Sequence, residues 1–175
     1  MVFTTHHSSP LGDITMASDG RALVGLWLEG QKYFANKFGA EHEERPDLPI
    51  FAETRRWLDI YFSGKAPDFI PPLVMYGSEF RKRVWQTLLE IPYGHTTTYG
   101  AIARHLGCKS AQAIGGAVGH NNISLIIPCH RVIGKGGSLT GYAGGIDKKA
   151  WLLEMESKTN TDTTDSRDGE HLQSR

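Results

Sequence analysis

Three prolines in close succession, Pro67, Pro71 and Pro72, constrain what this 175-residue chain can fold into more than any other feature. Proline has no N–H to give a ladder and cannot sit inside a helix, so a domain boundary is expected near residues 65–77. The two sides differ in pattern. Before it, FTTHHSS, GDITMAS and ALVGLWLE are short runs separated by Pro10, Gly12 and Asp19-Gly20. They predict antiparallel strands joined by tight turns, with Asp19-Gly20 the clearest hairpin signal. FAETRRWLDIYFSG then sets Phe51, Thr54, Trp57, Leu58, Tyr61 and Phe62 on one helical face, with Gly64 placed to end the helix.

Beyond the boundary the period turns helical. Ser78 can cap SEFRKRVWQTLLE, in which Phe80, Val84, Trp85, Leu88 and Leu89 make an apolar stripe opposite Arg81, Lys82 and Gln86. Thr98 can cap TYGAIARHL, which Gly107 would stop; Ser110 can cap SAQAIGGAVG; Asp147 or a neighbour opens KKAWLLEME. The expected fold class is α+β. A small N-terminal antiparallel sheet with a helix (1–76) is followed by a mostly helical, winged-helix-like domain (77–156) containing a helix-turn-helix. Residues 157–175 hold one large apolar side chain, Leu172, and are expected to be a disordered tail.

Net charge is zero, but its distribution is not even. Residues 1–76 carry 7 Lys/Arg against 10 Asp/Glu, residues 77–156 carry 9 against 5, and the second half is the better partner for an anion. No run approaches the roughly 18 apolar residues of a membrane span, and the start, MVFTTHHSSPLG, lacks a signal-peptide pattern, so a soluble intracellular protein with no membrane partner is expected. Nothing in the length demands an oligomer, and a monomer is expected. The two cysteines, Cys108 and Cys129, are too few for a disulfide scaffold and short of a four-ligand zinc site unless histidines complete it, and their spacing argues against zinc as well.

The helix SAQAIGGAVG is poor in bulk. Its glycines each forfeit up to about 1 kcal/mol of helix propensity, which implies close approach on some face. Packing against another element is one explanation; entry into a narrow groove, where larger side chains would meet sugar and phosphate, is the other.

Cys129 follows the apolar run LIIP. Pro128 biases Ile127 toward an extended conformation, so Cys129 is expected where a buried strand ends. An unperturbed thiol is only a few per cent thiolate at neutral pH, and a working cysteine needs a base or a cation beside it. His130 and Arg131 are the candidates. Neighbours in an extended chain point to opposite faces, so a water is expected between Cys129 and His130 unless the backbone turns. Glu156 is a candidate acid for orienting the histidine. Cys108, in a turn after Gly107, reads as a bystander.

IPCHRVIG, followed by GYAGG and KKAWLLEME and preceded by YGHTTTYGAIA and AIGGAVGHN, resembles the O6-alkylguanine-DNA alkyltransferases. The match runs from about Arg81 to Glu156; the first 76 residues agree mainly in length and order of elements. The resemblance implies a ribonuclease H-like N-terminal domain and a DNA-repair enzyme that moves a methyl or larger alkyl group irreversibly, once, from O6-alkylguanine in duplex DNA onto its own cysteine. O4-alkylthymine is left open as a second substrate. It assigns the nucleophile to Cys129, the histidine acting through water to His130, the orienting acid to Glu156 and a supporting amide to Asn121. Tyr99 would meet the flipped base and the rotating phosphate, Tyr142 would stack near the guanine, and the Val132 carbonyl and Ala143 amide would address its polar edge. Ser110, Ala111, Gln112 and Ala113 would lie against the minor groove.

Extrusion of the base is required because the guanine O6 lies within the stacked duplex. The reaction itself needs only a thiolate and a leaving group, and no cofactor or metal is expected. The zinc site of some relatives does not transfer, because no cysteine precedes Cys108. A cytoplasmic location, or a nuclear one in a eukaryote, goes with this function. One departure matters: family members commonly place an arginine where this chain has Gln112, which brings hydrogen bonds but no charge. Three rival readings stay in view. A Cys-His hydrolase would turn over, a non-enzymatic lesion sensor would bind without transfer, and a plain helix-turn-helix regulator would leave PCHRV unexplained.

Overall fold

The computed structural model describes residues 1–31, 41–142 and 145–162, with side chains through residue 158. Two compact units emerge: one joins Met1–Tyr76 with Asn122–Ile126, the other joins Gly77–Asn121 with the described residues from Ile127 onward. No helix among the described residues is long and apolar enough to cross a membrane.

The first unit is built on β1 (Val2–Ser9), β2 (Gly12–Ser18) and β3 (Leu23–Leu28), antiparallel in that order. The Asp19-Gly20 turn forms as its residues dictate: Asp19 accepts from the Arg21 and Ala22 amides, and Gly20 takes φ +107. A Cβ on Gly25 would clash with the edge of the buried Trp27 ring, so a larger residue at that strand position requires the indole to move. A fourth strand, β4 (His42–Glu44), pairs parallel to β1, so the sheet is mixed and not purely antiparallel. All three of its residues are exposed, which leaves no alternation for a sequence pattern to detect. Helix α1 (Pro49–Phe62) supports the sheet through Phe51, Trp57, Leu58 and Tyr61, which are buried.

The free edge of β3 is covered by two irregular segments. Leu23 exchanges hydrogen bonds with Pro72 and Val74, and Leu26 with Asn122 and Ser124. Residues 122–126, grouped with the second domain by sequence pattern, therefore pack in the first unit. Nor is the run before Cys129 a strand: Leu125 has φ 71, and the Ile126 amide turns back to the Ser124 carbonyl at 2.8 Å. Hydrophobic character was real there, since Leu125 and Ile127 are buried, but it serves a folded-back turn.

The second unit contains α2 (Glu79–Leu89), α3 (Tyr99–Leu106), α4 (Ala111–Gly119) and α5 (Ile146–Asp162). Ser78, Thr98 and Ser110 each accept a hydrogen bond from the backbone amide of the third residue of α2, α3 and α4, and Gly107 ends α3 with φ 68. Buried Trp85 of α2 donates to the Ala117 carbonyl of α4 at 2.8 Å, fixing the helix-turn-helix on its support. Helix α5 begins one residue before Asp147 and continues through Asp162, so 157–162 are helical and not part of a disordered tail. Residues 163–175 of that expected tail lie outside the described residues.

Candidate active site

Two short strands assemble the site. β5 (Thr97–Thr98) pairs parallel with β6 (Val132–Ile133), Thr97 beside Val132 and Thr98 beside Ile133. Because Tyr99 directly follows β5 and Arg131 directly precedes β6, this pairing brings the first turn of α3 alongside the cysteine.

Cys129, His130 and Arg131 form one 3-10 turn, with the Arg131 amide donating to the Pro128 carbonyl at 3.0 Å. The opposite-face placement expected of an extended chain does not apply here. All three residues are buried, His130 completely. His130 Nε2 lies 2.6 Å from Glu156 Oε2, across from the penultimate turns of α5. With the carboxylate as acceptor, Nε2 carries the hydrogen, and Nδ1 is the nitrogen left to accept a proton.

Glu156 is only 1% exposed yet ionised: burial pushes its pKa up, and His130 and Arg131 together outweigh that and hold it well below the usual carboxylate range. Burial pushes His130 below its ordinary value despite Glu156. Cys129 is shifted up by burial, opposed by a hydrogen bond from Asn121 and by the positive charge of Lys149. Asn121, just past α4, also donates to the Ile127 carbonyl at 2.8 Å, which ties the end of that helix to the turn that holds Cys129.

Of the other expected site residues, Tyr99 donates its hydroxyl to the Thr140 carbonyl at 3.1 Å. Tyr142 is buried edge-on to His130, ring centres 6.4 Å apart, and burial, reinforced by Cys129 and Glu156, raises its phenol well above the ordinary value. Val132 is fully buried in β6. Ala143 lies outside the described residues. Ser110 caps α4, while Ala111, Gln112 and Ala113 are exposed on its first turn. Cys108 is half-buried, its thiol 3.5 Å from the Ser110 carbonyl.

Sequence reasoning missed Lys149. It is fully buried, donates to the Thr140 carbonyl at 2.9 Å, sits 5.9 Å from the centre of the Tyr99 ring, and has its pKa lowered to about 8 by burial. Lys148 and Lys149 are adjacent, and only helical phase decides which one turns inward. No group of three or more metal-ligating side chains occurs among the described residues.

A buried cysteine, histidine and carboxylate beside a helix-turn-helix define a cysteine-bearing domain of the DNA-binding class. Residues 79–158 match the family model of the 6-O-methylguanine DNA methyltransferase DNA binding domain, and residues 1–74 match the ribonuclease-like domain of the same family. A methylated-DNA–protein-cysteine methyltransferase of Mycobacterium leprae is 42% identical over 89% of this chain and 93% of its own length. One from Methanosarcina acetivorans is 44% identical over 85% and 94%. The crystal structure of Mycobacterium tuberculosis O6-methylguanine methyltransferase superimposes with a TM-score of 0.82 at 41% identity, covering 91% of this chain and 94% of that one. The same bacterium's OGT in complex with DNA gives 0.80 at 40% identity, covering 90% and 93%. The chain belongs to the 6-O-methylguanine DNA methyltransferase family, an α+β fold that carries DNA-repair alkyl transfer to a protein cysteine.

Proposed function

We propose that Cys129 is the acceptor to which this protein transfers the alkyl group of O6-alkylguanine, one group per chain. The observation that carries this is the buried 2.6 Å contact between Glu156 of α5 and His130, which directly follows Cys129 in the same turn. Glu156 holds His130 by Nε2, so Nδ1 accepts the thiol proton, through one water. The thiolate attacks the alkyl carbon; the C–S bond forms, the bond from that carbon to O6 breaks, and its electron pair passes into the guanine, whose O6 becomes a carbonyl as N1 takes up a proton. A thioether has no low-barrier way back to thiolate, so the protein is consumed.

The protein acts as a monomer on duplex DNA, in the cytoplasm or, in a eukaryote, in the nucleus. Ser110 to Ala113 address the minor groove, and Tyr99 the extruded base and its phosphate. Tyr142 stacks near the guanine, with the Val132 carbonyl and Ala143 amide at its polar edge and Asn121 supporting the thiolate. Unstacking costs a few kcal/mol, least at an already weakened pair, which contributes selectivity for the lesion.

The test is to mix the protein with DNA carrying labelled O6-methylguanine and weigh it intact. One methyl per chain, absent from Cys129→Ala, is the expected result. Label released as a small product over many turnovers would instead identify a hydrolase, and binding with no transfer a lesion sensor.

A further inference from the structure

Glu156 has more donors than a histidine-orienting acid requires. Besides His130, Arg131 Nε lies 2.8 Å from Oε1 and Nη2 3.2 Å from Oε2, and the Gly94 amide donates to Oε1 at 3.2 Å. Arg131 Nη1 donates to the Ile91 carbonyl at 2.8 Å, and the guanidinium lies 5.7 Å from the centre of the Tyr93 ring. His130, Arg131 and Glu156 are buried in direct contact, so the charge each carries is set first by the other two. A guanidinium stays charged at every pH the protein meets. Arg131 and Glu156 therefore already cancel, and a proton on His130 would leave the cluster with a net positive charge. Without Arg131 the same proton would cancel Glu156 and be favoured.

We infer that Arg131 is a positioning residue for alkyl transfer: by neutralising Glu156 it keeps His130 as the neutral Nε2–H tautomer, with Nδ1 ready for the Cys129 proton. The inference rests on His130 being the base. Proton transfer then moves within the cluster, from thiol and imidazole to thiolate and imidazolium, and its net charge does not change. After the C–S bond forms and the C–O6 bond breaks, the imidazolium proton is passed on to the departing guanine and His130 is neutral again. The groups facing His130 are Cys129 and Arg131 in its own turn, Glu156 and Lys149 from α5, and Tyr142 from the segment before α5. Lys149 is positive below about 8 and acts in the same sense as Arg131, so comparisons belong below that pH.

The test follows the ionisation of His130 by nitrogen NMR in the intact protein, in Arg131→Lys and in Arg131→Met, from about pH 5.5 to about 7.5, beside the rate of Cys129 methylation. The wild type and Arg131→Lys should hold neutral imidazole throughout. Arg131→Met should show imidazolium at about pH 6.5, methylate at least about tenfold more slowly there, and recover about tenfold per pH unit. A wild-type imidazolium at neutral pH would overturn the inference, and so would a folded Arg131→Met with neutral His130 and an unchanged pH profile. If Arg131→Met does not fold, Arg131→Gln, which keeps a donor to Glu156 but carries no charge, takes its place with the same expected spectrum and pH profile. Neutral His130 in a wild type that takes up no methyl would instead overturn the reading of the base and leave the charge assignment standing.

Discussion

Lys149 is an ammonium group buried beside a thiol, and its two consequences oppose each other. Its pKa falls from 10.5 unfolded to about 8 folded, so the unfolded chain binds more protons between those values and stability should rise with pH across that window. Below about 8 the full penalty is present, at most about 3 kcal/mol, partly offset by the bond to Thr140. Lys149→Met is therefore expected to be more stable at neutral pH by about 1 kcal/mol, to lose the rise above pH 8, and to methylate more slowly because the thiolate loses its cation. Urea melts at several pH values check the first two; an undiminished rise in the variant would remove the assignment. Glu156 has the opposite sign. Its folded pKa is depressed, so its contribution is complete above 4.5 and is lost as pH falls below that. Glu156→Gln strands the Arg131 charge and should cost about 3–5 kcal/mol at neutral pH.

Helix α4 shows why an element can be built against its own propensity. The glycines implied close approach, yet a Cβ on Gly116 or Gly119 would meet nothing within 4 Å, and one on Gly115 would only touch the Tyr99 ring at 3.9 Å. Packing within the protein does not account for them, which favours an external surface such as a DNA groove. Gly116→Ala should thus stabilise the fold by about 0.5–1 kcal/mol while weakening DNA binding. A thermal melt and a binding titration on the same samples separate the two, and unchanged affinity would argue that this face stays free of DNA. On the first turn of α4, exposed Gln112 brings no charge; Gln112→Arg should tighten binding several-fold and steepen its salt dependence. Equal affinity and equal repair rate in the variant would count against a role for residue 112 at the DNA.

For the whole molecule, the excess of basic residues lies in 77–156, the part that carries the helix-turn-helix and the cysteine. Affinity for undamaged duplex should fall linearly in log–log form with salt, as phosphate contacts require, and lesion-bearing duplex should show nearly the same slope with a constant offset. A lesion-dependent slope would mean that the damaged base, and not the backbone, supplies the charge contacts.

Local chemistry made much of this legible in advance. Helix caps at Ser78, Thr98 and Ser110, the turn at Asp19-Gly20 and the stop at Gly107 depend on a few adjacent residues and appear where the sequence puts them. PCHRV singled out Cys129 as the candidate nucleophile, although a strand end and not a turn was expected there. Exposed β4 escaped notice because it has no apolar alternation, and the run before Cys129 passed for a strand because burial alone does not distinguish a strand from a turn. The sequence by itself determined the capped helices, the hairpin turn and the candidate nucleophile. Only the tertiary structure decided the electrostatics: which of two adjacent lysines turns inward, and that Glu156 answers to both His130 and Arg131, 26 and 25 residues away along the chain. Charges act through space, and the distances between residues far apart in sequence exist only once the chain has folded.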